Sequence, residues 1–359
     1  MKNKILIVTP KLSSIGGVSS YWNTLLPILC NYNNLNINTL EVGGHGKNIF
    51  AILHDQWKFK KEIDNKINLI FLNPSLASRS FFRDALFAKQ LQNKKISFVV
   101  FFHGWNLDFE RQVNRKYVDF FLKTFGKAEK IFVLSEDFKN KIYQWGYKGE
   151  VIVETTNVDS SIITNFSIND KITAFKTSKK VKILFLARIL REKGIFETVE
   201  AFKNLTKRYS NIQLTIVGDG KDLNKLKNEV KDNKNIIVTG YIKGKEKNDF
   251  FANNDIYCLP TFYGEGLPTT ILEAMMFGMP IITTNFGGLK EFFQDGKMGY
   301  FVEPKNVNDL EKKLEHLLLD KARMIEIRKY NYAFVNEKFS SKVIAKRLYQ
   351  YILNVIKNG

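Results

Sequence analysis

Glu265 and Glu273 stand eight positions apart in residues 264–280, with Gly266, Leu267, Pro268, Thr269 and Thr270 among the residues between them. Proline suits the first position of a helix, where its missing N–H would be unpaired anyway. The spacing therefore puts Glu265 in a loop before a helix and Glu273 one turn inside it. The free N–H groups of such a helix start attract phosphate. Ionised carboxylates only accept hydrogen bonds and suit groups rich in hydroxyls. Phosphate and polyol together describe a nucleotide sugar.

Arg188 and Lys193 are the cations such a ligand needs. They follow an apolar run at 181–187, and Lys193 precedes Gly194 and a helical segment. An arginine fork and a lysine point charge can neutralise a departing diphosphate. The alternative, an exposed basic loop in a lysine-rich chain, loses ground beside the Glu265–Glu273 stretch. Gly16-Gly17 and His103 also follow apolar runs. The glycine pair would let a backbone approach a ligand, or make an ordinary tight turn; it lacks the Gly-x-Gly-x-x-Gly pattern. His103 could hydrogen-bond a substrate hydroxyl or phosphate, although a lone histidine is more often structural. Gly218-Asp219-Gly220 reads first as a turn. Gly287-Gly288 with Glu291 repeats the phosphate-friendly layout. Four scattered histidines and the lack of an Asp-x-Asp pair leave no metal-ligand pattern, and no cofactor is expected.

Parallel α/β sheets must position these residues. Strands are predicted at 4–9, 36–42, 67–72, 96–102, 130–134 and 151–154, then at 181–187, 213–217, 235–239, 256–259, 280–284 and 299–302. Helices are predicted between them, including 18–31 and 79–93. In the second of these, Phe81, Leu86 and Leu91 are expected to pack inside, with a membrane-facing helix as the alternative. Polar residues 165–180 read as a linker between two series whose units would leave a cleft. In such sheets ligands gather beyond the carboxyl ends of the strands.

The chain has 359 residues, 44% of them apolar and 25% charged, enough for two domains with their own cores. Its net charge of +19 is spread evenly, with 22 basic against 14 acidic residues up to position 165 and 33 against 22 beyond. That balance is compatible with an anionic membrane surface or a phosphate-bearing substrate. Nucleic acid is disfavoured as a partner, because no basic repeat, zinc spacing or RNA-binding aromatic motif occurs. No apolar run is long enough to span a membrane, and no secretory signal is expected at the start. Cys30 and Cys258 are too few for a disulfide framework and read as small buried hydrophobes in a reducing cytosol.

Together Gly16-Gly17, His103-Gly104, Ala187-Arg188 with Lys193-Gly194, Gly218-Asp219-Gly220 and Glu265-x7-Glu273 through Gly287-Gly288 and Glu291 resemble the retaining GT-B glycosyltransferases of family GT4. The resemblance implies an α/β fold of two Rossmann-like domains facing each other across a cleft. Residues 1–165 would form an acceptor domain, with a terminal helix at 340–359 packing back on it. Residues 175–339 would bind the nucleotide sugar. Glu273 would hold the ribose, Glu265 the transferred sugar, and the amides of Gly266 and Leu267 its surroundings. Thr269 and Thr270 would lie at the diphosphate, Arg188 and Lys193 would stabilise its departure, and Gly218 would line the donor site. Tyr241-Ile242 would lie by the base, while His103 and the Gly16-Gly17 loop would meet sugar and phosphate. The activity implied is metal-independent, retaining transfer of a hexosyl group from a UDP- or GDP-sugar. Its acceptor would be a glycan or lipid-linked molecule of bacterial surface polysaccharide synthesis, handled in the cytoplasm with peripheral contact to the anionic inner membrane. Thr156-Asn157-Val158-Asp159 departs from the family's Asn-Gly pattern outside the donor site. The competing readings are a GT-B epimerase or phosphorylase and a non-catalytic sugar-nucleotide-binding protein.

Overall fold

The computed structural model describes residues 2–14, 16–44, 49–262 and 267–358. The chain forms two compact units. The first is Met1–Asn157 with Ser341–Gly359, and the second is Val158–Ser340.

The first unit runs β1 (Asn3–Thr9), α1 (Gly17–Leu29), β2 (Leu35–Glu41), α2 (Ile49–Glu62), β3 (Leu69–Leu72), β4 (Ser75–Leu76), α3 (Ser78–Lys94), β5 (Phe98–Phe101), β6 (Gly104–Trp105), α4 (Leu107–Gln112), α5 (Val118–Lys123), β7 (Lys130–Val133), α6 (Glu136–Gln144) and β8 (Glu150–Val153). Among the described residues six strands make one parallel sheet in the order β2-β1-β3-β5-β7-β8. β3 and β5 are buried at every position, as strands covered on both faces must be. One face packs Phe59, Phe81, Phe87, Phe102, Phe121 and Phe125. The other packs Trp22, Leu25, Phe101 and Phe132.

The second unit contains α7 (Ile168–Thr177), β9 (Val181–Leu186), α8 (Ile195–Thr206), β10 (Ile212–Val217), α9 (Leu223–Val230), β11 (Ile236–Gly240), α10 (Lys245–Asn253), β12 (Ile256–Leu259), α11 (Thr269–Met276), β13 (Ile281–Thr283), β14 (Gly299–Phe301), α12 (Val307–Leu319) and α13 (Lys321–Lys338). Its described strands form a parallel sheet in the order β11-β10-β9-β12-β13-β14. At the amino edge of this sheet the fully buried Arg328 donates to Asp255 Oδ1 at 2.7 Å and lies 4.4 Å from the Phe175 ring centre. Lys171 donates to the carbonyls of Phe251 and Phe277, near the C-terminal ends of α10 and α11, and burial, with Arg328 nearby, pushes its pKa down.

The chain ends in α14 (Ser341–Asn358), which returns to the first unit. Ile344, Leu348 and Ile352 cover the sheet face beside α1. Arg347 pairs with the buried Glu154, and Tyr349 stacks on Tyr32 at 3.8 Å.

Three expectations are corrected. Residues 165–180 are not a linker: Ser167 caps α7 by accepting from the Asp170 amide, and Ile172 and Phe175 bury its inner side. Leu86 faces outward while Phe81 and Leu91 are buried, because α3 turns positions 81, 84, 88 and 91 inward and 86 away from them. Cys30 is exposed because α1 ends at Leu29 and turns it outward, whereas Cys258 inside β12 is buried.

Each sheet has one point where the strand order reverses, between β1 and β3 in the first unit and between β9 and β12 in the second. At such a point the connections leave in opposite directions and open a crevice beyond the strand ends.

Candidate functional site

In the second unit the loops beyond the strand ends are tied together by short hydrogen bonds. The Ile189 amide donates to the Asp219 carbonyl at 2.9 Å, and the Arg191 amide donates to Asp222 Oδ2 at 2.8 Å. The Phe262 amide donates to the Glu192 carbonyl at 2.9 Å, and the Gly218 amide to the Gly240 carbonyl at 2.8 Å. Thr284 Oγ1 donates to the Thr261 carbonyl. These bonds hold the residues after β9, β10, β11, β12 and β13 as one rim at the reversal point. Arg188 is exposed on this rim, whereas Lys193 is buried in the turn that opens α8.

Two glycines have a packing reason. Gly194 has φ +76°, and a Cβ there would lie 2.3 Å from the Pro260 carbonyl oxygen; at Gly218, with φ +149°, it would lie 1.9 Å from that of Ala187. Gly218 thus lets β9 and β10 end side by side, which explains it without a ligand.

Glu273 lies on α11, one turn from its start, and Pro268 sits one residue outside the helix. Lys247 of α10 donates to Glu273 Oε1 at 2.8 Å. Glu273 Oε2 is buried and has no partner among the described residues. An ionised oxygen in that state calls for donors, because unmet desolvation is costly. Thr270, in the first turn of α11, has its Oγ1 2.8 Å from the Tyr257 hydroxyl, which donates to the Leu186 carbonyl at 2.8 Å. Thr269 is the first residue of that helix, and Leu267 leans on the core. Tyr241 is 70% exposed beyond β11, while Ile242 packs inward. Glu265 and Gly266 lie outside the described residues.

In the first unit, His103 follows β5 and Asn73 follows β3, so they are neighbours at the strand ends. Asn73 Nδ2 donates to the Val8 carbonyl at 2.8 Å, leaving Oδ1 to accept from Trp22 Nε1 at 3.1 Å. His103 Nε2 lies 3.0 Å from the same oxygen. An amide oxygen cannot donate, so Nε2 carries the hydrogen. The ring stacks on Phe101 at 3.8 Å, and burial holds its pKa down to about 3. His103 is therefore neutral at ordinary pH, with Nδ1 as a lone-pair acceptor. Gly16 and Gly17 open α1 after β1, and a Cβ at either position would meet nothing within 4 Å. No packing within the described residues demands glycine there.

The structure thus brings Arg188, Lys193, Gly218, Tyr241, Thr269, Thr270 and Glu273 to one edge of the second unit, and Gly16, Gly17 and His103 to one edge of the first. Gly287-Gly288 through Glu291 form a short 3-10 turn after β13. Sequence reasoning missed Asn73 and Lys247. Each stands about 30 residues from its partner, and only Asn73, directly after a strand, carried a positional signal. No group of three metal-ligating side chains occurs among the described residues.

Comparison with known proteins matches residues 167–334 to the family model described as glycosyl transferases group 1. The capsular polysaccharide biosynthesis glycosyltransferase CapM of Staphylococcus aureus is 25% identical over 232 residues, covering 62% of this chain and 60% of that relative's own length. Among solved structures, a glycosyltransferase from Rickettsia africae superposes with a TM-score of 0.75 at 20% identity, covering all of both chains. Anabaena HepE, solved in complex with UDP-glucose, superposes with a TM-score of 0.68 at 14% identity, covering 98% of this chain and 99% of its own. The two Rossmann-like units are those of the GT-B fold, and residues 167–334 match the family of glycosyl transferases group 1.

Proposed function

We propose that the chain is a retaining, metal-independent glycosyltransferase. It takes a sugar from a nucleotide-sugar donor and passes it to a glycan or lipid-linked acceptor in bacterial surface polysaccharide synthesis. The observation that carries this reading is the buried Glu273 Oε2, without a partner among the described residues, on the rim that also bears Arg188 and Lys193. A ribose diol supplies the donors that oxygen lacks, and the cations suit a leaving diphosphate. The name of the Staphylococcus aureus relative and the UDP-glucose in the Anabaena structure support the substrate class.

In this reading Glu273 holds the ribose, Thr269 and Thr270 lie by the diphosphate, and Tyr241 and Ile242 lie by the base. Gly218, Gly266 and Leu267 line the donor site, and Glu265 contacts the transferred sugar. Gly16 and Gly17 give a phosphate room, and His103 Nδ1 accepts from a sugar hydroxyl. The departing phosphate takes the acceptor's proton on the face it leaves, so configuration is retained. The side chains orient the donor and stabilise developing charge rather than act as a base.

The test is thermal stabilisation by a panel of nucleotide sugars, followed by turnover with acceptor and chelator present. Glu273→Ala should abolish the donor-induced shift, and Arg188→Ala should lower kcat. If both variants keep wild-type binding and turnover, the assignment fails. Epimerised donor without acceptor would identify an epimerase instead. An inverted product would overturn retention, and loss of activity to the chelator would overturn metal independence.

A further inference from the structure

The outward side of α2 is apolar where a solvated helix is normally polar. Phe50 is 72% exposed, Leu53 57% and Trp57 55%. Spacings of three and four residues place all three on one side. On the opposite side Ala51, Asp55 and Phe59 are buried in the first unit. Gln56 anchors α2 to α3 by donating to the Arg83 carbonyl at 2.9 Å and accepting from Gln90 at 2.7 Å. Leu86 of α3, also exposed, lies between those two anchors in sequence.

The same side of α2 carries exposed Lys60 and Lys61, and Lys61 Nζ lies 3.6 Å from the Trp57 ring centre. Of the acidic residues of the helix, Asp55 is turned inward onto the Gly43 amide, and Glu62 is exposed beside the two lysines at the last position. Large apolar tips edged by lysines match the layering of an anionic bilayer. Trp, Phe and Leu enter the acyl boundary, and lysine stems reach back to the phosphates. The net charge of +19 adds long-range attraction. No described helix is long and apolar enough to cross a membrane, so the contact is with the surface.

The geometry points to the Phe50–Leu53–Trp57 face of α2 as the place where this protein rests on an anionic lipid bilayer. The inference uses no residue of the donor site and stands apart from the transfer reaction. The full chain is sedimented with vesicles of phosphatidylcholine alone and of equimolar phosphatidylcholine and phosphatidylglycerol. Binding is expected to the anionic vesicles and to weaken with salt. Lys60→Gln with Lys61→Gln should weaken it about 25-fold, the equivalent of two charges at about 1 kcal/mol each with about 1.4 kcal/mol per factor of ten. Phe50→Ser, Leu53→Ser and Trp57→Ser together should remove it while the unfolding midpoint stays within the wild-type range. Failure of the wild type to bind anionic vesicles would overturn the inference, as would variants that bind like the wild type. So would a concentration-dependent dimer that the triple variant abolishes without changing vesicle binding, since the face would then meet a second copy.

Discussion

His103 makes the stability of the first unit depend on pH in a calculable way. Its imidazole titrates near 3 when folded, because burial disfavours the charged ring, and near 6.5 once unfolded. Below pH 6.5 the unfolded chain binds a proton that the folded unit refuses. Stability present above 6.5 is therefore lost as pH falls toward 3. At pH 5 the loss is about 2 kcal/mol, from the two titration curves at that pH. His103→Gln removes this contribution and leaves every other titrating group in place. Urea unfolding followed by tryptophan emission reads it out, because Trp22, Trp57, Trp105 and Trp145 all belong to the first unit. Between pH 7 and pH 5 the wild type should lose about 2 kcal/mol more than the variant, a midpoint difference of about 1 M urea. Equal losses in both proteins would refute a neutral, half-buried imidazole.

Glycines 17 and 218 should separate function from packing. Gly17→Ala should keep the unfolding midpoint and lose transfer activity, whereas Gly218→Ala should lower the midpoint, since its Cβ meets the Ala187 carbonyl. Asp255→Asn strands the buried Arg328 and should cost about 3–5 kcal/mol, read as a fall of at least about 6 °C in thermal midpoint. A fall under about 2 °C would show that the pair contributes little. Of the two thiols, exposed Cys30 should react with an aromatic disulfide reagent in the native protein. Cys258, with its thiol pushed up to about 12 by burial, should react only in denaturant. Native reaction of both would contradict the packing of β12.

The sheets were legible in the sequence because parallel strands bury both faces and read as unbroken apolar runs. Residues 256–259 are a strand with those same bounds, and most other strand ends moved by one or two residues. The positions of Arg188, Lys193 and Glu273 beside strand ends and a helix start were legible because those are local features. The rest depended on tertiary placement. A polar stretch hid α7, whose inner side needs only Ile172, Phe175 and the stem of Lys171. Leu86 and Leu91 are alike as letters, and only the docking of α3 separates the outward one from the buried one. The Asn73 amide that sets the His103 tautomer comes from another strand, and nothing near His103 announces it.

The return of α14 to the first unit bears on how the protein is made. Strands β1 to β8 and α1 leave the ribosome before α14, so the part of that sheet face covered by Ile344, Leu348 and Ile352 lacks its cover until that helix arrives. Residues 158–340 must be translated in between, which takes roughly 10 to 40 s at about 5–20 residues per second. The second unit is continuous in sequence and can complete its core during that interval. The first unit is begun before the second and completed after it. A chain terminated before Ser341 would carry a complete second unit and a first unit that lacks the helix covering part of one sheet face.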